Sequence, residues 1–192
     1  MDAKQAFERH VQGLVGLAVE SVDYWDVYDF SDGPTRWDYG DWHHAAMGVE
    51  LGTAGDPVTI IWTNRFFPYG VEVFREPIES FLVLHKEGPQ RVGPNGPSAW
   101  DRFLGHRVIA VATYWDTLSL GASTRDGHVI EPASELELPT AIRLDFGSGS
   151  VWFVAAIPQA PDMTEVFMPG DEIMVLFSQA KAQAMGLHTR SD

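Results

Sequence analysis

No cysteine occurs anywhere in the 192 residues. That absence removes disulfides, thiolate nucleophiles, zinc ribbons and iron–sulfur clusters from consideration. Basic residues are scarce too: 13 Lys and Arg against 27 Asp and Glu leave a formal net charge of -14. A surface of that sign repels phosphate backbones and anionic lipid headgroups within the screening length, so neither nucleic acid nor membrane is an expected partner. No apolar run approaches the roughly 18 to 20 residues that cross a bilayer; the longest, 151–157 and 173–177, have strand length. The opening Met1-Asp2-Ala3-Lys4-Gln5 lacks the apolar stretch of a secretory leader, which makes the cytoplasm the expected compartment. Neither Gly-x-x-x-x-Gly-Lys nor a helix-opening Gly-x-Gly-x-x-Gly is present, so no cofactor is expected. Internal repeats and low-complexity tracts are also missing.

What remains is the composition of a globular protein, 45% hydrophobic and 21% charged. A chain of this length can hide about 70% of the surface its unfolded form exposes, and one domain over 1–192 is expected. Phe7, Val11, Leu14, Val15 and Ala18 recur at helical spacing behind Asp2, which predicts a helix over 3–14. Residues 19–30 read as a strand running into an irregular acidic loop. Alternating Met47, Val49 and Leu51, a Gly-rich turn and 58–63 make a hairpin, with further strands over 69–74 and 81–85. The Pro- and Gly-rich 88–97 reads as a surface loop. Ser98 caps a short helix carrying Trp100 and Phe103, and 107–115 reads as a central strand. Ile142, Leu144 and Phe146 alternate with Arg143 and Asp145 before Gly147-Ser148-Gly149 turns the chain into 151–156, the clearest hairpin in the sequence. A strand over 172–177 and a helix over 178–185 close the chain, while 116–139 has no assignable structure. Terminal helices around consecutive hairpins predict an α+β fold on a single antiparallel, curved or barrel-like sheet.

The densest polar cluster is Asp38, Asp41, His43, His44 and Glu50 among Trp37, Tyr39 and Trp42. Asp41, His43, His44 and Glu50 are the candidates for acid–base chemistry. His43 and His44 at the start of a strand point to opposite faces, so they are a poor pair for one metal ion, and a solvated acidic loop is the plainer reading. Asp26, Asp29 and Asp32 fall at every third position rather than the alternate positions of a calcium loop, which leaves a turn-forming acidic loop. Gly147-Ser148-Gly149-Ser150 lacks the second glycine of a nucleophile elbow and reads as a hairpin turn.

Seven tryptophans, eleven phenylalanines and five tyrosines are spread along the chain, and some of them must fill the core. Trp62, Trp115 and Trp152 lie on predicted strands and belong in that core. Trp25, Trp37 and Trp42 sit instead among Asp26, Asp29 and Asp38. They serve either to pack the N-terminal segment on the sheet or as aromatic anchors with an acidic rim for a partner or ligand.

The pattern Gly48-Val49-Glu50-Leu51, Ile60-Ile61-Trp62, Tyr69-Gly70-Val71-Glu72-Val73, then Ile142-Arg143-Leu144-Asp145-Phe146 and Val151-Trp152-Phe153-Val154, resembles small uncharacterised bacterial proteins and some immunity proteins of bacterial toxin systems. It covers about half the chain as a strand pattern and carries over no functional residue. Two functions follow as expectations. One is a cytosolic binding module, of the immunity type, whose acidic face covers a basic protein. The other is a protein that holds a small apolar or aromatic ligand in an aromatic-lined pocket inside the sheet, for binding or for cofactor-free isomerase- or cyclase-like chemistry.

Overall fold

The computed structural model describes residues 2–26, 28–29, 33–34, 36–63, 67, 69–82, 88–123, 129–160, 163 and 165–187, excepting the side chains of 28–29, 33–34, 122–123 and 129–133. The chain runs α1 (Ala3–Gln12), β1 (Ser21–Asp26), β2 (Tyr28–Asp29), β3 (Gly33–Pro34), β4 (Trp42–Ala45), β5 (Gly48–Gly52), β6 (Val58–Ile61) and β7 (Glu72–Phe74). A 3-10 turn, Ile78–Ser80, precedes β8 (Gln90–Gly93), β9 (Ala110–Ser123), β10 (Val129–Phe146), β11 (Gly149–Ala155), β12 (Ile157–Pro158), β13 (Val166–Phe167), β14 (Ile173–Leu176) and α2 (Gln179–Ala184).

The α+β class holds, with short helices at both ends, but the expected single sheet is corrected to several. Two are five-stranded and antiparallel, in the orders β7-β6-β5-β1-β8 and β4-β14-β11-β10-β9, with two small ribbons besides; among the described residues neither closes into a barrel. The division falls between neighbours in sequence, because β4 pairs with β14 while β5 pairs with β1. Alternation explains why the sheets face each other. Val22 and Tyr24 of β1, Val49 and Leu51 of β5, Ile142 and Leu144 of β10, and Phe153 of β11 all enter one shared core with Phe7 and Val11 of the first helix and Leu14 of the turn after it. Each fully buried side chain of this size contributes about 1.5 to 3 kcal/mol.

Within the second sheet β14 is buried on both faces, which is why it reads Ile-Met-Val-Leu without polar alternation. The sheet's outer residues Trp152, Val154, Met174 and Leu176 pack against Ala182 of α2 and Leu187. On the outer side of the first sheet, Trp25, Ile61, Phe74 and Ile78 form a third cluster.

Other expectations change locally. The 88–97 loop contains edge strand β8, and Gly93 is what allows it: a Cβ there would lie 2.6 Å from the Trp37 indole. The helix expected after Ser98 is a run of turns, with the Ser98 hydroxyl accepting from Trp100 N at 3.2 Å. The strand expected over 107–115 is β9, an edge strand rather than a central one. Of the unassigned 116–139, residues 116–123 extend β9 and 129–139 belong to β10, and these pair as a two-stranded arm beyond the pairing of β10 with β11, while 124–128 lie outside the described residues. Of the strand expected over 81–85, Phe81 and Leu82 lie in a turn and the rest falls outside the described residues.

Candidate functional site

An open cleft of about 380 Å³ lies between the 36–41 loop and the 98–102 turns, lined by Gly40, Asp41, Ser98, Asp101, Arg102 and Phe177. Its position follows from pairing. Hydrogen bonding of Phe177 N to Asp41 O at 3.1 Å carries the end of β14 alongside the loop before β4. Arg102 donates from Nη2 to Phe177 O at 2.9 Å and lies 4.7 Å from the Phe103 ring centre, which ties the turns to the same strand end. Asp41, Asp101 and Arg102 are exposed, whereas Phe177, 8% exposed, forms the floor.

Behind that floor stands a buried polar chain. Trp100 Nε1 donates to the Tyr24 hydroxyl oxygen at 2.5 Å, and that hydroxyl is 2.7 Å from His43 Nδ1. An indole can only donate, so the Tyr24 proton is available to His43, whose own proton then sits on Nε2. His43 Nε2 is 3.7 Å from Asp38 Oδ1, close enough for attraction and too long for a hydrogen bond. Asp38 is half-exposed and its Oδ1 accepts from Gly40 N at 2.8 Å. His43 is wrapped by rings, with centroids 5.0 Å from Trp37, 5.5 Å from Tyr24 and 4.6 Å from Phe177. Burial pushes its pKa down to about 4, against a smaller upward pull from Asp38. Burial likewise raises Tyr24 well above the ordinary phenol range. Both groups are therefore neutral at pH 7.

The cleft and the chain behind it bring together Asp41, Asp38, Trp37 and His43. Alternation along β4 sends Trp42 and His44 to the opposite face, where His44 donates from Nε2 to Glu172 Oε2 at 2.7 Å. His44 Nδ1 is buried there without a hydrogen-bond partner among the described residues. Trp42 stacks on Tyr39 at 4.2 Å with a 6° interplanar angle. Glu50 points out of the other sheet and accepts from Ile78 N at 2.7 Å, anchoring the 3-10 turn. The four acid–base candidates thus occupy three surfaces. Trp25 is 5% and Asp26 4% exposed in the first sheet, and Asp29 lies in β2 with its side chain outside those described. Among the described residues no three His, Asp or Glu side chains gather as a metal site.

Tyr24, Trp100, Asp101, Arg102 and Phe177 were not singled out from sequence. Tyr24 carried a usable signal: it shares the inward face of β1 with Val22, and a buried phenol needs a polar partner. No helix among the described residues is long and apolar enough to cross a membrane. Comparison with protein-family models, curated proteins and solved structures gives no match to this chain.

Proposed function

We propose that this chain is a cytosolic binding module for a basic protein, an inhibitor of the immunity type, and that cationic side chains of its partner enter the cleft over Phe177. The observation that carries this reading is the pairing of exposed Asp41 and Asp101, which outnumber the one lining cation Arg102, with an aromatic floor in one open cleft. Asp38 stands beside it, held to Gly40. Carboxylates around an apolar surface suit a lysine or arginine, whose long stem packs on the ring while its charge meets the rim. The net charge of -14 draws a basic partner in from a distance. Trp37 and the buried chain behind the floor hold the cleft in shape, which lowers the ordering cost of binding.

The competing reading, a small-ligand site with acid–base chemistry, has one feature in its favour: His43 and Asp38 adjoin the same cleft. Against it, the space between the sheets is filled by Trp100, Phe103 and Phe153, each at most 1% exposed.

A nona-arginine peptide tests the cleft by calorimetric titration of three proteins. These are the native chain, a double variant Asp41→Asn/Asp101→Asn, and a control Asp56→Asn/Glu79→Gln that removes the same charge from exposed positions elsewhere. The expected result is an affinity loss of about tenfold for the cleft pair and less than about twofold for the control. Equal losses in both would reduce the interaction to unspecific charge and remove the cleft from the function.

A further inference from the structure

A second concavity lies between the outer face of the second sheet and α2. We infer that it is a binding site for a neutral, oxygen-rich small molecule of the size and chemistry of a sugar, independent of the partner cleft.

The strands place its polar groups by simple alternation. Ile142 and Leu144 face the core, so Arg143 and Asp145 face outward, beside Tyr114 of β9 and Trp152 of β11. Gln179 and Gln183, one helical turn apart on α2, form the opposite wall. The groove measures about 360 Å³, at the small end of the range for small-molecule sites.

Hydrogen-bond accounting gives the ligand chemistry. Arg143 is held by Asp145: Nη2 donates to Oδ2 at 2.9 Å, while Nε lies 2.8 Å from Oδ1 as an ion-pair contact without hydrogen-bond geometry. The Ser150 hydroxyl donates to Asp145 Oδ1 at 2.6 Å, so the carboxylate is itself fixed. The Tyr114 hydroxyl oxygen accepts from Arg143 Nη1 and from Trp152 Nε1, each at 3.3 Å. Both of its lone pairs are then engaged, and its proton finds no acceptor among the described residues. One N–H on each Arg143 terminal nitrogen remains over, and neither glutamine amide has a side-chain partner among the described residues. The surplus is therefore of donors, held in place before a ligand arrives, together with two amides that both give and accept.

An occupant must bring acceptors, and its charge can be inferred. Asp145 cancels Arg143 locally, while the chain as a whole is strongly negative, which disfavours an anion. Neutral hydroxyl, ether or carbonyl oxygens fit. Leu187, of the outer cluster, adds apolar surface at the groove's edge.

The test is a ¹⁵N-resolved NMR titration with D-glucose, N-acetyl-D-glucosamine and maltose, each read at the Trp152 indole and the Gln179 and Gln183 side-chain amides. At least one sugar should give saturable shifts confined to this groove, with a millimolar or tighter Kd. Gln183→Ala, at an exposed helical position, should weaken that binding about fivefold or more with the rest of the spectrum unchanged, and Tyr114→Phe should do the same by removing one hydroxyl. Absence of saturable shifts with all three sugars overturns the proposal. So does undiminished binding by Gln183→Ala, or tighter binding of inorganic phosphate at the same resonances. None of these results bears on the Asp41 and Asp101 cleft, so the two readings fail separately.

Discussion

Acidification from pH 6.5 to 4 should destabilise this protein through His43. The imidazole is 1% exposed, enclosed by Tyr24, Trp37 and Phe177, and held neutral with its pKa lowered from 6.5 to about 4. Above pH 6.5 both the folded and the unfolded histidine are neutral, and the shift has no effect on stability. As pH falls from 6.5 to 4 the unfolded chain binds a proton that the folded chain refuses, so stability drops by about 1.4 kcal/mol per pH unit and then levels off. The accumulated loss is about 3 kcal/mol. With a urea slope of about 2 kcal/mol per molar, the midpoint falls by about 1.5 M from this residue alone. Carboxylates and other histidines add their own pH dependence, so the comparison is with His43→Gln, whose amide oxygen can accept from the Tyr24 hydroxyl without titrating. Urea unfolding followed by tryptophan fluorescence between pH 4 and pH 8 should give the native chain the steeper decline by that amount. Parallel declines in the two proteins, or an imidazole titrating near 6.5 by NMR in the folded state, would refute the reasoning.

Three further outcomes follow from the packing. Gly93→Ala drives a methyl group to 2.6 Å from the Trp37 indole and should cost about 1 to 3 kcal/mol by urea unfolding, with a shift in tryptophan emission as the ring leaves His43. Glu50→Ala deprives Ile78 N of its charged acceptor and should cost about 1.5 to 3 kcal/mol while leaving nona-arginine affinity unchanged, since Glu50 lies on another face. Phe153→Ala removes a fully buried ring whose centroid is 6.0 Å from that of Trp100 and should cost about 3 to 5 kcal/mol in the same assay.

Local patterning carried much of this fold. Alternation at Ile142, Leu144 and Phe146 locates the β10–β11 hairpin, and the opposed faces of His43 and His44 follow from the pleat. Pairing between distant segments was not legible. Nothing in the composition of β4 says that it joins β14 rather than neighbouring β5, because both partners offer an apolar face and the choice depends on the whole two-sheet packing. Edge strand β8 was hidden by its prolines and glycines, which usually mark loops; Gly93 is there to admit Trp37. In the site, the acidic and aromatic residues near Asp38 were visible as a cluster. Their division into an exposed rim, a ring floor and a buried Trp100–Tyr24–His43 chain was not, since it depends on residues 76 positions apart meeting in the core.

The function is tested most directly by native mass spectrometry of the protein purified from its own host, performed on the native chain and on Asp41→Asn/Asp101→Asn. The expected spectrum shows one basic protein bound in a one-to-one complex that survives in the native chain and is lost from the variant. A protein that carries only a stoichiometric small molecule, or a partner retained equally by both forms, would contradict the assignment of the Phe177 cleft as the binding surface for a basic protein.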